Sequence, residues 1–452
     1  MFEKDRPSSK RARGGTVVGA AAAILYLFAG AKPADAALPP GNTVEQWNQI
    51  SENTVVGAGA FQNEGLIYMA YVSAAVYNAT VAIKGGYTPY GAGVHAPKGS
   101  SPDAAVIEAA YDTLVHYFPL QSASLYATYT EALAAIPDGI AKSNGQAVGL
   151  AAATQIMLSR NGDGRLTPVG VTSAFPRLAP GPGVYRRTPA AYAAPQTPWV
   201  GDVKPFVLES ANQFMPGPPP PLSSPIWVNA FNDIEQYGSA VSTRRTPDQT
   251  AIATFWTANV IRQYNRLIRD LADGAHMGLL RTARLAAMVN VVGADAQISC
   301  MHAKYHYLFW RPVTAIDPTS TVADSFGPVP GFDDGNPATA KVAGWRPLIA
   351  TPNHPEYPAA HGSLTSAMAE VFGKFLDTDK INVDIHGFDA AGIAGNLDAV
   401  RHFTTSSELR RQIIEARFWA GLHYRFSSEA GVQLGRDVAR YDLSHAFREI
   451  ED

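Results

Sequence analysis

Three separated stretches of the chain combine cationic side chains with imidazoles. The first carries Lys304 and Arg311, the second His361, and the third Arg417 and His423. Lysine and arginine offer dense N–H donors to a multiply charged oxyanion, and a neutral imidazole can attack or ligate such a group. Each stretch alone is typical of ordinary ion pairs, core histidines or surface charges. Together they favour a site for a tetrahedral oxyanion such as phosphate or vanadate.

The first stretch is rich in aromatic residues, which predicts a buried helix. Lys304 and Arg311 are seven residues apart, so on one helix they lie within about 20° of the same face. Pro312 predicts that this helix ends at Arg311. Pairing of the two cations with an ordinary carboxylate such as Asp317 is the structural alternative. His306 falls on nearly the opposite face, where we expect a core histidine.

The second stretch follows a proline-punctuated loop and precedes a segment of good helical composition, residues 363–376. His361 is therefore expected near the start of a helix, where free N–H groups and the positive end of the dipole favour an anion. The backbone N–H groups of Ala360 and His361 are candidate oxyanion donors. A capping or core histidine is the alternative.

The third stretch is predicted to be one helix over residues 406–425, capped by Ser406 or Ser407. Arg417 and His423 are six residues apart, so they diverge by about 120° around a regular helix. They can still reach one ligand that sits against the edge of the helix.

The three stretches together resemble the motif set of one superfamily: Lys-x6-Arg-Pro, then Pro-x-x-His, then Arg-x5-His. Vanadium-dependent haloperoxidases share it with type-2 phosphatidate phosphatases and bacterial acid phosphatases. From about residue 44 to 445 the chain looks most like the bacterial haloperoxidase-like branch, through residues 65–79, 245–249 and 351–358. The resemblance implies an all-α helical bundle of the haloperoxidase and acid phosphatase type.

The resemblance also implies roles for the motif residues. Lys304, Arg311 and Arg417 would bind the oxyanion. His423 would be the axial vanadium ligand or a phosphorylated nucleophile, and His361 the acid/base. Their different tasks require pKa values that are pushed apart.

The chain departs from the family pattern around these motifs. Ala359 and Ala360 replace the usual Ser and Gly, which removes one hydroxyl donor. His354 occupies a position where bromide-using peroxidases carry a histidine, so it is a possible halide site. The phosphatase branch commonly has an Asp four residues after the last histidine, and this chain does not. The candidate partners for orienting His423, chosen by proximity, are Ser427, Ser428 and Glu429.

We therefore expect an exported vanadate-dependent haloperoxidase that uses hydrogen peroxide, a halide and a small organic acceptor, with vanadate as cofactor. One alternative is an acid phosphatase that hydrolyses phosphomonoesters through a phosphohistidine and needs no cofactor. Another is a non-catalytic oxyanion-binding relative. The missing Ser keeps this last alternative open.

Composition agrees with a globular protein. The chain has 452 residues, 46% hydrophobic and 17% charged, with a formal net charge of −3, so nucleic acid is not an expected partner. Its single cysteine, Cys300, cannot form an internal disulfide. The loop Arg160–Gly164 resembles a calcium turn but lacks the remaining EF-hand spacing, so we interpret it as a turn that ends a helix.

Residues 1–36 have the pattern of a signal peptide. Basic residues precede the apolar run Thr16–Ala31, and Ala34-Asp35-Ala36 provides a small-x-small cleavage site. The expected location is periplasmic or extracellular, and membrane association is expected only if the segment stays uncleaved.

The remainder, residues 37–452, is predicted to be one all-helical domain, built of two packed bundles, with its active site at about 290–430. The prolines at 216–221 break the chain near its middle without marking a free linker. Apolar periodicity predicts helices over residues 65–83, 103–116, 122–136, 142–159, 247–274, 277–310, 363–376 and 406–425.

Overall fold

The structure is a computed structural model that describes residues 38–166, 181–189, 191–319, 322–324, 327–329, 333–387 and 399–450. The predicted signal peptide lies outside these residues and stays a prediction. The helices, numbered in chain order, are α1 (Thr43–Gly57), α2 (Gln62–Lys84), α3 (Pro102–Tyr117), α4 (Ser122–Ala134), α5 (Ile140–Ser159), α6 (Pro225–Tyr237), α7 (Pro247–Phe255), α8 (Val260–Gly274), α9 (Leu279–Tyr307), α10 (Pro312–Ile316), α11 (Ala360–Leu376), α12 (Ser406–Trp419) and α13 (Arg425–His445). Short 3₁₀ helices span Pro119–Gln121 and Pro198–Asp202.

The described chain is mostly helical, which confirms the all-α prediction. Its described strands form two short antiparallel hairpins. One pairs β1 (Val322–Asp324) with β2 (Gly327–Val329), and the other pairs β3 (Val383–His386) with β4 (Val400–Phe403).

Two long helices, α2 and α9, form the centre of the core. Both are apolar almost all round, as expected of helices that neighbours cover on every side. Among the described residues α2 is long and apolar enough to cross a membrane, but 89% of its most apolar window is buried inside the protein. The sequence pattern of α2 is therefore explained by its place in the core.

The helix α11, which follows the second motif, is fixed by close packing on α13. Glycines allow the two backbones to approach: a Cβ at Gly435 would lie 1.9 Å from the carbonyl oxygen of Ser363, and one at Gly431 would lie 2.4 Å from that of Ala359. The start of α11 is thereby held against the helix that follows the third motif.

Several predicted helices end earlier than expected. The segment 247–274 is two helices, because Asn259 caps α8 after a break. The segment 277–310 ends at Tyr307, where Leu308 adopts a left-handed conformation with φ of 48°. Pro312 starts α10 rather than ending α9, and the prediction that Arg311 lies on the helix of Lys304 is wrong.

The helix predicted over 406–425 is also interrupted. Thr405, rather than Ser406 or Ser407, caps α12. The helix stops at Trp419, and the chain turns through Gly421, whose φ is 74°. His423 lies in the turn before α13. Helices α1, α6 and α13 were not predicted, because their apolar positions are interspersed with many polar residues. Helix α10 was not predicted either, because its five residues are too few to show a helical periodicity.

His306 and the glycine-rich loop after α5 were also the subject of predictions. His306 is exposed, so the expectation of a core histidine is wrong. Asp163 in the glycine-rich loop is bonded by Arg160 and by the Tyr71 hydroxyl, and the loop follows the end of α5. The interpretation as a turn that ends a helix is confirmed.

Candidate oxyanion site

Lys304 lies in the last turn of α9 and is fully buried. Its Nζ donates to the carbonyl oxygens of Pro355 and Glu356, at 2.9 Å each. Burial lowers the pKa of Lys304 to about 7, although the nearby Glu356 carboxylate opposes this effect. The lysine thus ties the end of α9 to the loop of the second motif.

Arg311 lies in the bend between α9 and α10 and joins all three motifs. Its Nε donates to the carbonyl of His354 at 2.9 Å, and Nη1 donates to that of Leu422 at 2.9 Å. The same Nη1 lies 3.1 Å from Nε2 of His423, and Nη2 lies 3.0 Å from Nδ1 of His354. Burial lowers the pKa of Arg311 to about 10. A planar guanidinium suits this role because its donors diverge in fixed directions.

Arg417 lies in the last turn of α12, also buried. Its Nη1 donates to the carbonyl of Trp256 at 3.0 Å, while its buried Nε has no hydrogen-bond partner. Burial, and next the charge of Arg311, lower the pKa of Arg417 to about 9. A buried guanidinium with an unused donor is suited to bind an anion, which would satisfy that donor.

His423 is held between two opposite charges. Its Nδ1 lies 2.9 Å from Oε1 of Glu356, which also accepts the backbone N–H of Tyr424 at 3.1 Å. The partners expected from proximity, Ser427, Ser428 and Glu429, are wrong, because the carboxylate that contacts this ring nitrogen belongs to Glu356, 67 residues earlier. Ser427 donates instead to the carbonyl oxygen of Glu356, at 3.4 Å. Burial lowers the pKa of His423 well below its ordinary value, with Arg311 the next cause, so the imidazole is neutral.

His361 lies in the first turn of α11, as expected. Its Nε2 is buried and has no hydrogen-bond partner. Burial, followed by the charge of Arg417, lowers its pKa well below the ordinary value, so this ring is also neutral. Ala360 is the first residue of α11, and the N–H groups of the first turn have no acceptor within the helix.

His354 lies beside the same cations. Its Nδ1 accepts from Nη2 of Arg311, and its ring centre is 6.4 Å from that of Phe61. Burial and the Arg311 charge lower its pKa well below the ordinary value. Nδ1 also lies 3.2 Å from the carbonyl oxygen of Pro355, so Nδ1 is the ring nitrogen that contacts both Arg311 and this carbonyl.

The charges in this group do not balance. Within the described ranges of the chain, Lys304, Arg311 and Arg417 form no salt bridge. Asp317, the alternative partner, pairs with Arg346 instead. Glu356 is the carboxylate in contact with the site through His423, and burial raises its pKa to about 7 against the lowering effect of Lys304. In the described chain, two buried guanidinium groups and the buried amine of Lys304 therefore face at most one carboxylate.

The three sequence motifs lie together in the structure, and Glu356 is a residue of the site that the sequence did not lead us to expect. The structure brings together Lys304, Arg311, His354, His361, Arg417 and His423 through hydrogen bonds or mutual electrostatic effects. One clue to Glu356 exists in the sequence: a lone acidic residue lies between prolines 355 and 358 in a buried stretch, where an unpartnered carboxylate would be costly.

Comparison with known proteins gives consistent matches. Residues 284–452 match the family described as the VCPO second helical-bundle domain. The vanadium chloroperoxidase of Curvularia inaequalis is 25% identical over 321 residues, which cover 56% of this chain and 51% of that protein. The chain thus spans about half the length of this curated relative.

Solved structures share the fold over nearly the whole chain. A protein described as the first bacterial vanadium-dependent iodoperoxidase superposes with a TM-score of 0.72 at 21% identity, covering 92% of this chain and 99% of that one. A holo-type bacterial vanadium-dependent chloroperoxidase gives a TM-score of 0.65 at 15% identity, covering 91% and 99%. At these identities the likeness establishes the fold, and the predicted bundle type is confirmed.

Proposed function

Because the chain belongs to the superfamily that vanadium-dependent haloperoxidases share with type-2 phosphatidate phosphatases, we propose that it is an exported vanadate-dependent haloperoxidase. It would oxidise a halide with hydrogen peroxide and pass the oxidised halogen to a small organic acceptor. The haloperoxidase matches support this choice within the superfamily.

The observation that carries the proposal is the uncompensated positive charge of the buried site. Lys304, Arg311 and Arg417 lie out of water without a salt bridge in the described chain, and Nε of Arg417 and Nε2 of His361 are buried and unused. Buried polar atoms of this kind are costly to leave unpaired. A tetrahedral oxyanion would satisfy them and neutralise the charge, so these residues fit vanadate.

Each residue has a distinct task in this proposal. The three basic side chains would hold the oxygens of the oxyanion, assisted by the backbone N–H groups at Ala360 and His361. His423 would ligate through Nε2, since Nδ1 is occupied by Glu356. When bound, vanadate supplies the Lewis acidity that activates peroxide toward a halide. Nε2 of His361, which is neutral and unpaired, would accept the proton that peroxide loses and return it during turnover.

His354 is the proposed halide-site residue. Nδ1 contacts Arg311 and the carbonyl of Pro355, so Nε2 is the ring nitrogen that would donate to an anion, in the tautomer with its proton on Nε2. The neighbouring Phe61 ring adds an apolar surface, which a large, weakly hydrated halide would tolerate better than a small one.

Acid phosphatase activity is the second candidate, and the contact between Glu356 and His423 favours it. A carboxylate that holds Nδ1–H makes Nε2 a better nucleophile, as a phosphohistidine route requires. In that reaction His423 would attack a phosphomonoester, and His361 would protonate the leaving alcohol.

One experiment separates the two chemistries. The protein is purified without phosphate, and bromide oxidation by peroxide and hydrolysis of an aryl phosphate are assayed before and after addition of orthovanadate. We expect bromide oxidation only after loading. A phosphatase would hydrolyse the ester before loading and be inhibited by vanadate, which would overturn our first choice. Inactivity in both assays would point to a non-catalytic oxyanion-binding relative.

Export rests on residues 1–36. N-terminal sequencing of protein recovered from the periplasm or medium should find a new terminus close to residue 37. Recovery of the intact terminus in a membrane fraction would instead indicate an uncleaved anchor.

A further inference from the structure

We propose that Glu356 is a positioning residue: its carboxylate fixes the tautomer of His423 and strengthens Nε2 as a ligand. The inference rests on the proposed function and deepens it, because it assigns a specific partner to the ligating histidine. The carboxylate comes from the second motif and acts across the site on the third.

Two contacts on opposite sides of the ring require the same tautomer. Nη1 of Arg311, which can only donate, lies 3.1 Å from Nε2 of His423. Oε1 of Glu356 lies 2.9 Å from Nδ1 of the same ring. Since an arginine donor needs a lone pair on Nε2, the ring proton is placed on Nδ1, where the carboxylate accepts it. The Nε2 lone pair therefore points to the cationic side.

Hydrogen bonds hold the backbone and one carboxylate oxygen, Oε1, of Glu356, while its buried Oε2 has no hydrogen-bond partner. The backbone N–H of Glu356 donates to the carbonyl of Phe309 at 2.9 Å, and its carbonyl accepts Nζ of Lys304. Oε1 accepts a second bond from the N–H of Tyr424 at 3.1 Å. The residue has no exposed surface. A side chain fixed at its backbone and at Oε1 can set the orientation of the ring that it contacts.

The charge of this carboxylate has opposite consequences for two kinds of oxyanion. A metal oxyanion that bonds to Nε2 gains from a more basic imidazole, and removal of such outer partners typically lowers metal affinity about 10- to 100-fold. Phosphate held only by hydrogen bonds gains nothing from that basicity. For phosphate, a nearby negative charge is repulsive.

The test compares orthovanadate and inorganic phosphate in Glu356→Gln, with Glu370→Gln as the matched control. Glu370 pairs with Arg410, Arg436 and Arg440, outside the site. We expect Glu356→Gln to weaken vanadate binding on the order of tenfold or more while phosphate binding stays equal or tightens. The control should change neither. Equal losses for both anions would show a merely structural role and overturn the proposal.

A second measurement needs no ligand and no variant of Glu356. Long-range ¹H–¹⁵N NMR of histidine-labelled protein reports which ring nitrogen of His423 carries the proton, with the resonance assigned by its loss in His423→Ala. We expect the Nδ1–H form, and an Nε2–H form would overturn the assignment. If the wild type binds neither anion, the proposed function fails, while this tautomer result still decides the role of Glu356.

Discussion

Replacement of Arg417 by Met should stabilise the protein and at the same time weaken its hold on an oxyanion. Burial and Arg311 lower the pKa of Arg417 to about 9, several units below the ordinary value of arginine. At about 1.4 kcal/mol per pH unit, keeping this guanidinium charged costs the fold roughly 5 kcal/mol. Removing the charge therefore stabilises the fold, but loss of the hydrogen bond to the Trp256 carbonyl offsets about 1 to 3 kcal/mol of this stabilisation. A net stabilisation of about 2 kcal/mol or more remains.

The anion response should change in the opposite direction. Loss of a charge-assisted hydrogen bond costs roughly 1.5 to 3 kcal/mol, which weakens phosphate or vanadate binding about 10- to 150-fold. The assay is thermal unfolding with and without phosphate, since a ligand that binds only the folded state raises the midpoint. Arg425→Met is the control, because Arg425 pairs with Glu415 at the surface. A less stable Arg417→Met protein with an undiminished phosphate response would refute the reasoning.

Four further changes test other parts of the account. His423→Ala should abolish turnover in whichever assay the wild type is active, while His361→Ala should slow it about a hundredfold to ten-thousandfold; undiminished turnover in either would show that the residue is structural. Asp442→Asn should stabilise the fold more at pH 8 than at pH 5 in urea unfolding. Burial, then Asp295, raise the Asp442 pKa well above its ordinary 3.8. The contribution of Asp442 to the free energy of unfolding is therefore greatest at low pH and falls as pH rises above 3.8. Equal effects of the substitution at both pH values would contradict this. Gly435→Ala should destabilise by about 1 to 3 kcal/mol, because its Cβ would meet the carbonyl of Ser363 at 1.9 Å, whereas Gly57→Ala, which meets nothing within 4 Å, should not.

The motifs alone predicted which cations share a site, but not how the chain brings them there. Lys304 and Arg311 were expected on one helix face. They converge because Leu308 adopts a left-handed conformation, which leucine rarely does. Tertiary contacts support the bend: the backbone N–H of Trp310 donates to the carbonyl of Gly183, and Val184 forms an isolated antiparallel β-bridge with Phe309. Such contacts across more than a hundred residues leave no local pattern.

The orientation of His423 could not be predicted for a related reason. Proximity in sequence favoured residues of the following helix, whereas the turn at Gly421 directs the ring toward the loop of the second motif. By contrast, His361 was placed correctly near a helix start because proline-rich loops and a following apolar segment are local features. Local composition sufficed for α2 and α3, whose observed bounds lie within three residues of the predicted ones.

The most direct test of the central claim is titration of the phosphate-free protein with orthovanadate, in the wild type and in His423→Ala. We expect one vanadate per chain in the wild type, competition by phosphate, and a large loss of vanadate affinity in His423→Ala with phosphate binding largely retained. Absence of vanadate binding to the wild type, or equally tight binding without His423, would contradict a histidine-ligated vanadate site.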